Sequence, residues 1–139
     1  MSVERYTLDT NILVYAMDRN AGEKQQKAAQ LIHQMMAADC VLTLQSLAEF
    51  FRAVTGKGKM PIPDALEQVQ DWLTLFPVQR SGPATLTKAM RAVQDHCLSF
   101  WDAMLWAAAK EARCTVVLSE DFQDGRVLEG VRFENPFLD

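Results

Sequence analysis

The chain is short of the groups that build sulfur and imidazole sites. Its 139 residues hold three cysteines, Cys40, Cys97 and Cys114, and two histidines, His33 and His96. An odd, widely spaced set of cysteines in mostly apolar surroundings offers no disulfide framework and points to reduced packing residues, as in a cytosolic protein. No CxxC or HExxH pattern occurs, so a zinc site is not expected and both histidines are placed on helix surfaces. Also missing is any run near the roughly 20 apolar residues of a membrane span, and Met1-Ser2-Val3-Glu4-Arg5 has no basic stretch leading into an apolar one. The expectation is a cytoplasmic protein with no membrane partner. Positive charge is scarce too, with 14 Lys and Arg against 18 Asp and Glu and a formal net charge of -4. That argues against generic coating of nucleic acid, although an acidic pocket that holds cations still approaches phosphates locally.

What is present is a core-forming chain, 49% hydrophobic, with no internal repeat, low-complexity tract or domain boundary, read as one domain over residues 1–139. Arg5-Tyr6-Thr7-Leu8 has the β-branched and aromatic character of a strand, and Ile12, Leu13, Tyr15 and Ala16 then repeat at helical spacing. Asp18 to Gly22 forms a loop before a crossover helix over Glu23 to Ala38, and Cys40 to Leu44 is a compact buried strand. The β-α-β order implies parallel pairing. Gln45 to Thr55 is helical and is stopped by Gly56-Lys57-Gly58-Lys59-Met60-Pro61. A helix from Pro63 or Asp64 places Leu66, Val69, Trp72 and Leu73 on one face, and Phe76 to Gln79 is an edge strand. Leu86, Ala89, Met90 and Val93 mark another helix, Trp101 to Ala112 a further one, Thr115 to Leu118 a buried strand and Val131 to Phe133 a final one. Strands alternating with helices throughout predict a three-layer α/β domain with a mainly parallel central sheet.

Four acids fall just after a predicted strand or in the first turn of a helix: Asp9, Glu49, Asp102 and Asp121. In a doubly wound sheet the strand carboxyl ends share one edge, so acids distant in sequence can converge there. Each has a structural competitor. Asp9 reads equally as a helix cap. Ser46-Leu47-Ala48-Glu49 and Ser99-Phe100-Trp101-Asp102 have the pattern of capping boxes, and Asp121 is equally a loop acid. Converging carboxylates repel, and a divalent cation relieves that repulsion; all-oxygen ligands suit Mg²⁺ or Mn²⁺. Such a cation binds phosphate oxygens and acidifies water, so phosphodiester hydrolysis is the reaction class that fits.

The motifs resemble a known family. LDTNILVY at residues 8–15, SLAEF at 46–50, SFWDAMLWAAA at 99–109 and LSEDF at 118–122 are similar to those of the PIN domain, especially VapC toxins of bacterial toxin-antitoxin pairs, in order and over nearly the whole chain. The resemblance implies that Asp9, Glu49, Asp102 and Asp121 are metal-site residues, with Asn11 and Ser119 in support and Asp124 as an alternative fourth acid. It implies a Mg²⁺- or Mn²⁺-dependent endoribonuclease, usually a homodimer, inhibited by a cognate antitoxin and acting on structured RNA such as transfer or ribosomal RNA.

Arg52, Lys57 and Lys59 follow Glu49 in a Gly-Lys-Gly-Lys context that reads either as a phosphate-reaching loop or as a solvated turn. Arg80, Arg126 and Arg132 are weaker candidates. Trp101 and Trp106 recur in the apolar pattern and are expected to be core or interface residues, not base-stacking platforms. Two rival functions stay open: an aspartate-based phosphatase or phosphotransfer domain, against which Asn11 and Ser119-Glu120 speak, and a PIN-like interaction module without catalysis, which the retention of all four acids disfavours.

Overall fold

The computed structural model describes residues 3–56 and 58–138. Strand β1 (Tyr6–Leu8) leads into helix α1 (Thr10–Met17), and α2 (Glu23–Met36) crosses to β2 (Leu42–Thr43). Helices α3 (Leu44–Gly56) and α4 (Ile62–Leu75) follow, then β3 (Val78–Gln79), α5 (Pro83–His96) and α6 (Phe100–Glu111). The chain ends with β4 (Val116–Leu118), β5 (Val127–Leu128) and β6 (Val131–Glu134).

Strands pair in the order β1-β4-β6-β5, parallel except for the β5/β6 hairpin, while β2 and β3 form a separate parallel pair. An isolated parallel bridge between Tyr6 and Cys40 joins the pair to β1, with Val41 N–H donating to the Tyr6 carbonyl at 2.9 Å. From β1 the chain therefore moves outward to β2 and β3, then returns through α5 and α6 to place β4 on the other side of β1. That reversal is a topological switch point, where open α/β sheets leave a crevice at the strand carboxyl ends.

Two apolar cores make the three layers, as the strand alternation requires. Val116 and Leu118 of β4 join Leu8, Ile12, Leu13, Ile32, Leu42 and Phe50 on one side, while the intervening Val117 joins Leu105, Trp106, Val131 and Phe133 on the other. The family of expected elements is present, with particular differences. Leu44 is 48% exposed and opens α3, so the predicted strand from Cys40 is reduced to Leu42–Thr43. Strand β5 was not marked by any periodicity, since two residues are too few to show one.

The helix faces differ more. In α4 the buried residues are Ala65 and Trp72, while Leu66 and Leu73 are 50% and 47% exposed. In α5 they are Thr85, Ala89 and Ala92, with Leu86, Met90 and Val93 outside. Trp72 and Ala89 of the expected faces are buried, but small side chains let a helix approach its neighbour closely, so Ala65, Thr85 and Ala92 complete the covered faces in place of the larger apolar residues.

Helix α5 ends on Cys97, whose φ of 57° is left-handed. A side chain is strained in that region and glycine is not. Cys97→Gly is therefore expected to stabilise the fold by about 0.5–1 kcal/mol, read as a higher urea midpoint; a lower midpoint rejects it. Cys40 and Cys114 are buried, and burial first, with the neighbouring thiol or Asp39 adding to it, pushes both up to about 12. They are inert packing groups.

Candidate active site

The register of β1 against β4 builds the centre of the site. Leu8 pairs with Leu118, so the next residue of each strand, Asp9 and Ser119, emerge side by side at the carboxyl edge. Asp9 N–H donates to the Leu118 carbonyl at 3.0 Å, and the buried Ser119 hydroxyl donates to Asp9 Oδ2 at 2.6 Å. Asp9 is also the N-cap of α1, its Oδ1 accepting from Thr10 N–H at 2.7 Å. Cap and cleft residue are the same residue: one oxygen serves each role.

The capping alternatives for the next two acids are absent. Thr43, not Ser46, accepts from the backbone at the start of α3, its Oγ1 taking Ser46 N–H at 3.1 Å. Ser46 lies inside the helix, buried, and its hydroxyl reaches the Leu8 carbonyl at 3.4 Å. Glu49 is thus free of the helix start, and it is held instead by Gln45 Nε2, which donates to Oε1 at 2.6 Å. Ser99 is the N-cap of α6 but makes no side-chain cap bond, leaving Asp102 in the first turn, where the helix dipole favours a negative charge.

The loop after β4 holds three acids, and the structure sends each somewhere different. Asp121 turns to the cleft, where Asn11 Nδ2 donates to Oδ2 at 3.1 Å and Asp121 N–H donates to Ser119 Oγ at 3.1 Å. Glu120 is bound by the Tyr15 hydroxyl and by Lys24 Nζ, the latter at 2.7 Å. Asp124 accepts Asn135 N–H at 2.8 Å and is not part of the cleft lining. Of the two alternatives for the fourth acid, the geometry brings Asp121 to the others and leaves Asp124 bracing the loop against the chain after β6.

Together Asp9, Glu49, Asp102 and Asp121 line one cleft of about 250 Å³ with Thr10, Asn11, Val14, Gln45, Ser46, Ala53, Trp101 and Leu105. Among the described residues the lining contains no Lys, Arg or His. Asp9 responds to this: burial raises it from its ordinary 3.8 to about 6, the Ser119 hydrogen bond opposes that rise, and the charges of Asp121 and Asp102 add to it. Ser119→Ala is accordingly expected to move Asp9 above about 6, because it deletes the strongest opposing contact. A carboxyl ¹³C titration checks this, and an unchanged or lower value rejects it.

Among the described residues no three His, Cys, Asp or Glu side chains are grouped tightly enough to clasp an ion by themselves. The donor set fits a hard cation held by one or two carboxylates with water completing its shell, as Mg²⁺ is commonly bound; it supplies neither the nitrogen and sulfur ligands of zinc nor a full oxygen cage for Ca²⁺. Asp9, with Asp102 or Asp121, is the set that would hold it. Gln45 was missed by the sequence reading, although its i,i+4 spacing from Glu49 is the usual signal for such a pair. Its Oε1 is buried without a hydrogen-bond donor.

The basic candidates lie at the margins. Arg52 is exposed on α3, in a hollow of about 340 Å³ that shares Glu49 and Ala53 with the acid cleft. Lys59 pairs with Asp18 at 2.8 Å beside a separate hollow of about 880 Å³ that contains none of the four acids. Lys57 lies outside the described residues. Arg132 is bound to Glu4 and Glu134, and Arg126 donates to the His96 carbonyl. Trp106 is core, its Nε1 donating to the Leu128 carbonyl at 3.2 Å. Trp101 is not, being 61% exposed on the cleft wall.

A family model for the PIN domain matches residues 6–126. Among solved structures, a toxin-antitoxin complex from Klebsiella pneumoniae is similar at a TM-score of 0.69 and 16% identity, with 95% of this chain and 98% of that one covered. The sarcin-ricin loop cleaving toxin VapC20 of Mycobacterium tuberculosis gives 0.68 and 14%, covering 84% and 89%. FitAcB from Neisseria gonorrhoeae gives 0.66 and 21%, covering 95% and 98%. No curated protein matches. Because the PIN domain model matches residues 6–126, most of the length, the chain belongs to the PIN domain family.

Proposed function

We propose that the protein is a divalent-metal-dependent endoribonuclease and the toxin of a toxin-antitoxin pair. One observation carries the nuclease reading: four carboxylates from four separate segments share a cleft whose lining, among the described residues, has no basic side chain. Such a cluster is electrostatically unfavourable until a cation joins it, and a cation there would also offset the charge of a substrate phosphate. A bound Mg²⁺ or Mn²⁺ would supply phosphate charge neutralisation and a more acidic water. The residues contribute the rest. Asp9, oriented by Ser119 and Thr10, faces the cleft with a fixed carboxylate; Asn11 orients Asp121 and Gln45 orients Glu49. Glu49 and Asp121 are exposed, so either can accept a proton from water at the reacting phosphate.

The toxin reading draws support from the neighbours, one of which is described as a toxin-antitoxin complex and another as a sarcin-ricin loop cleaving toxin. A cognate antitoxin is the partner this implies, and a homodimer is the expected assembly. The structural likeness, at identities of 14–21% for the three compared above, carries the fold, and the activity rests on the cleft.

The test incubates purified protein with total RNA in Mg²⁺ or Mn²⁺, in EDTA, and with Asp102→Asn in place of wild type. The reading requires cleavage by wild type that EDTA and the variant both abolish. No cleavage by wild type leaves the interaction-module alternative, and equal cleavage by variant and wild type means that the assigned cleft is not the site of the activity.

A further inference from the structure

The three tryptophans have opposite fates. Trp72 and Trp106 are each 3% exposed, whereas Trp101 is 61% exposed on the first turn of α6. A large aromatic surface left in water is unfavourable for folding, and its position is informative. Trp101 precedes Asp102 in sequence and lines the same cleft as all four acids. Phe100 packs against its ring edge-to-face at a centroid distance of 4.9 Å and an interplanar angle of 73°, while Gln45 Nε2 lies 3.5 Å from its backbone carbonyl. The ring is therefore supported by one aromatic neighbour and tied through its backbone to the residue that holds Glu49.

We propose that Trp101 is a base-stacking residue that positions single-stranded RNA beside the carboxylate cleft. The proposal rests on the nuclease reading for the identity of its ligand. Among the described residues the cleft lining has no cationic side chain to grip a phosphate, so those residues need a source of binding energy other than ion pairing. Stacking supplies one: every base has a π-face, and the contact operates irrespective of sequence. A base on the indole would bring its neighbouring phosphate towards the carboxylates, because Trp101 lines the same cleft as Asp102 and the other three acids. Trp101 is in this account a substrate-positioning residue, with the proton and phosphate chemistry left to the acids.

The probe is a cleavage-resistant 2′-O-methyl hexanucleotide, compared with an abasic oligomer of equal length and charge, each titrated into the full-length protein in Mg²⁺. Because Trp72 and Trp106 are buried, Trp101 dominates quenching by an added ligand. The expected result is quenching by the base-bearing oligomer and not by the abasic one. Trp101→Ala should weaken hexanucleotide binding by about 5- to 150-fold, and Trp101→Phe should recover most of the loss; an exposed position makes both variants foldable, checked by thermal melting. Equal affinity of the two oligomers for wild type overturns the proposal, as does unaltered binding by Trp101→Ala. A change in molar mass of the Trp101→Ala assembly with unaltered hexanucleotide affinity also overturns it, assigning the ring to a contact between protein chains. Base-dependent quenching in a protein that cuts no RNA supports the stacking assignment and rejects the nuclease reading separately.

Discussion

Asp9→Asn is expected to abolish RNA cleavage and, at the same time, to make the metal-free protein more stable. The two effects have one origin. Asp9 is half-buried among like charges, and its carboxyl sits at about 6 where an ordinary aspartate sits at 3.8. The difference corresponds to about 1–3 kcal/mol of unfavourable charge in the folded state, the lower figure allowing for solvent screening. Because the folded value is the higher one, the folded protein holds the proton more tightly than the unfolded chain between about 4 and about 6. Its stability therefore falls as pH rises through that window and is flat with respect to Asp9 above it. Asparagine keeps one acceptor oxygen for Thr10 N–H, places an N–H donor opposite the Ser119 hydroxyl oxygen, which can accept it, and carries no charge. Melting in EDTA at pH 7.5 should accordingly show a midpoint raised by about 3–6 °C, and the slope between pH 4 and 6 should flatten. Cleavage should fall on the order of 10²–10³-fold, as when one preorganised catalytic group is removed. A variant that is both inactive and less stable would show that Asp9 is mainly a structural cap.

Phe50→Ala has the largest expected effect on the fold. Phe50 is fully buried next to Glu49, and it packs edge-to-face on Trp72 of α4 at 4.8 Å and 71°. It is thus the point at which α3 is pinned to both the first core and α4. Truncation removes the ring and leaves a cavity that helices on both sides fill incompletely, costing about 3–5 kcal/mol. Urea denaturation should show this loss, with Phe50→Leu losing less because most of the volume is kept. A cost below about 1 kcal/mol would mean that the site collapses without penalty.

How far the sequence reached can be judged from individual residues. Asp9, Glu49, Asp102 and Asp121 were legible as candidates because each follows a short apolar run or opens a periodic one, and strand ends in a parallel sheet share an edge. Their competing explanations were equally legible, and local pattern alone did not separate them. Ser46-x-x-Glu49 and Ser99-x-x-Asp102 satisfy the capping-box spacing, yet the backbone places Thr43 at one helix start and leaves the Ser99 hydroxyl without a cap bond at the other. Asp121 and Asp124 are three residues apart in a polar loop, and only long-range partners, Asn11 for one and Asn135 for the other, distinguish them.

The sequence by itself determined the order of the elements apart from β5, the mainly parallel character of the sheet and the choice of four candidate acids, because 2.0 and 3.6 residue periods and turn chemistry are properties of local chain geometry. Tertiary structure alone decided how the apolar faces of α4 and α5 are completed, since small buried residues such as Ala65 and Ala92 gain their place from helix approach and not from hydrophobicity. It also decided that Trp101 stands open while Trp106 is enclosed. Both lie on one helix five residues apart, and what differs is the neighbour: a cleft at the sheet edge for the first, the strand β5 carbonyl of Leu128 for the second. Burial is a property of the partner surface, which the local sequence of α6 does not contain.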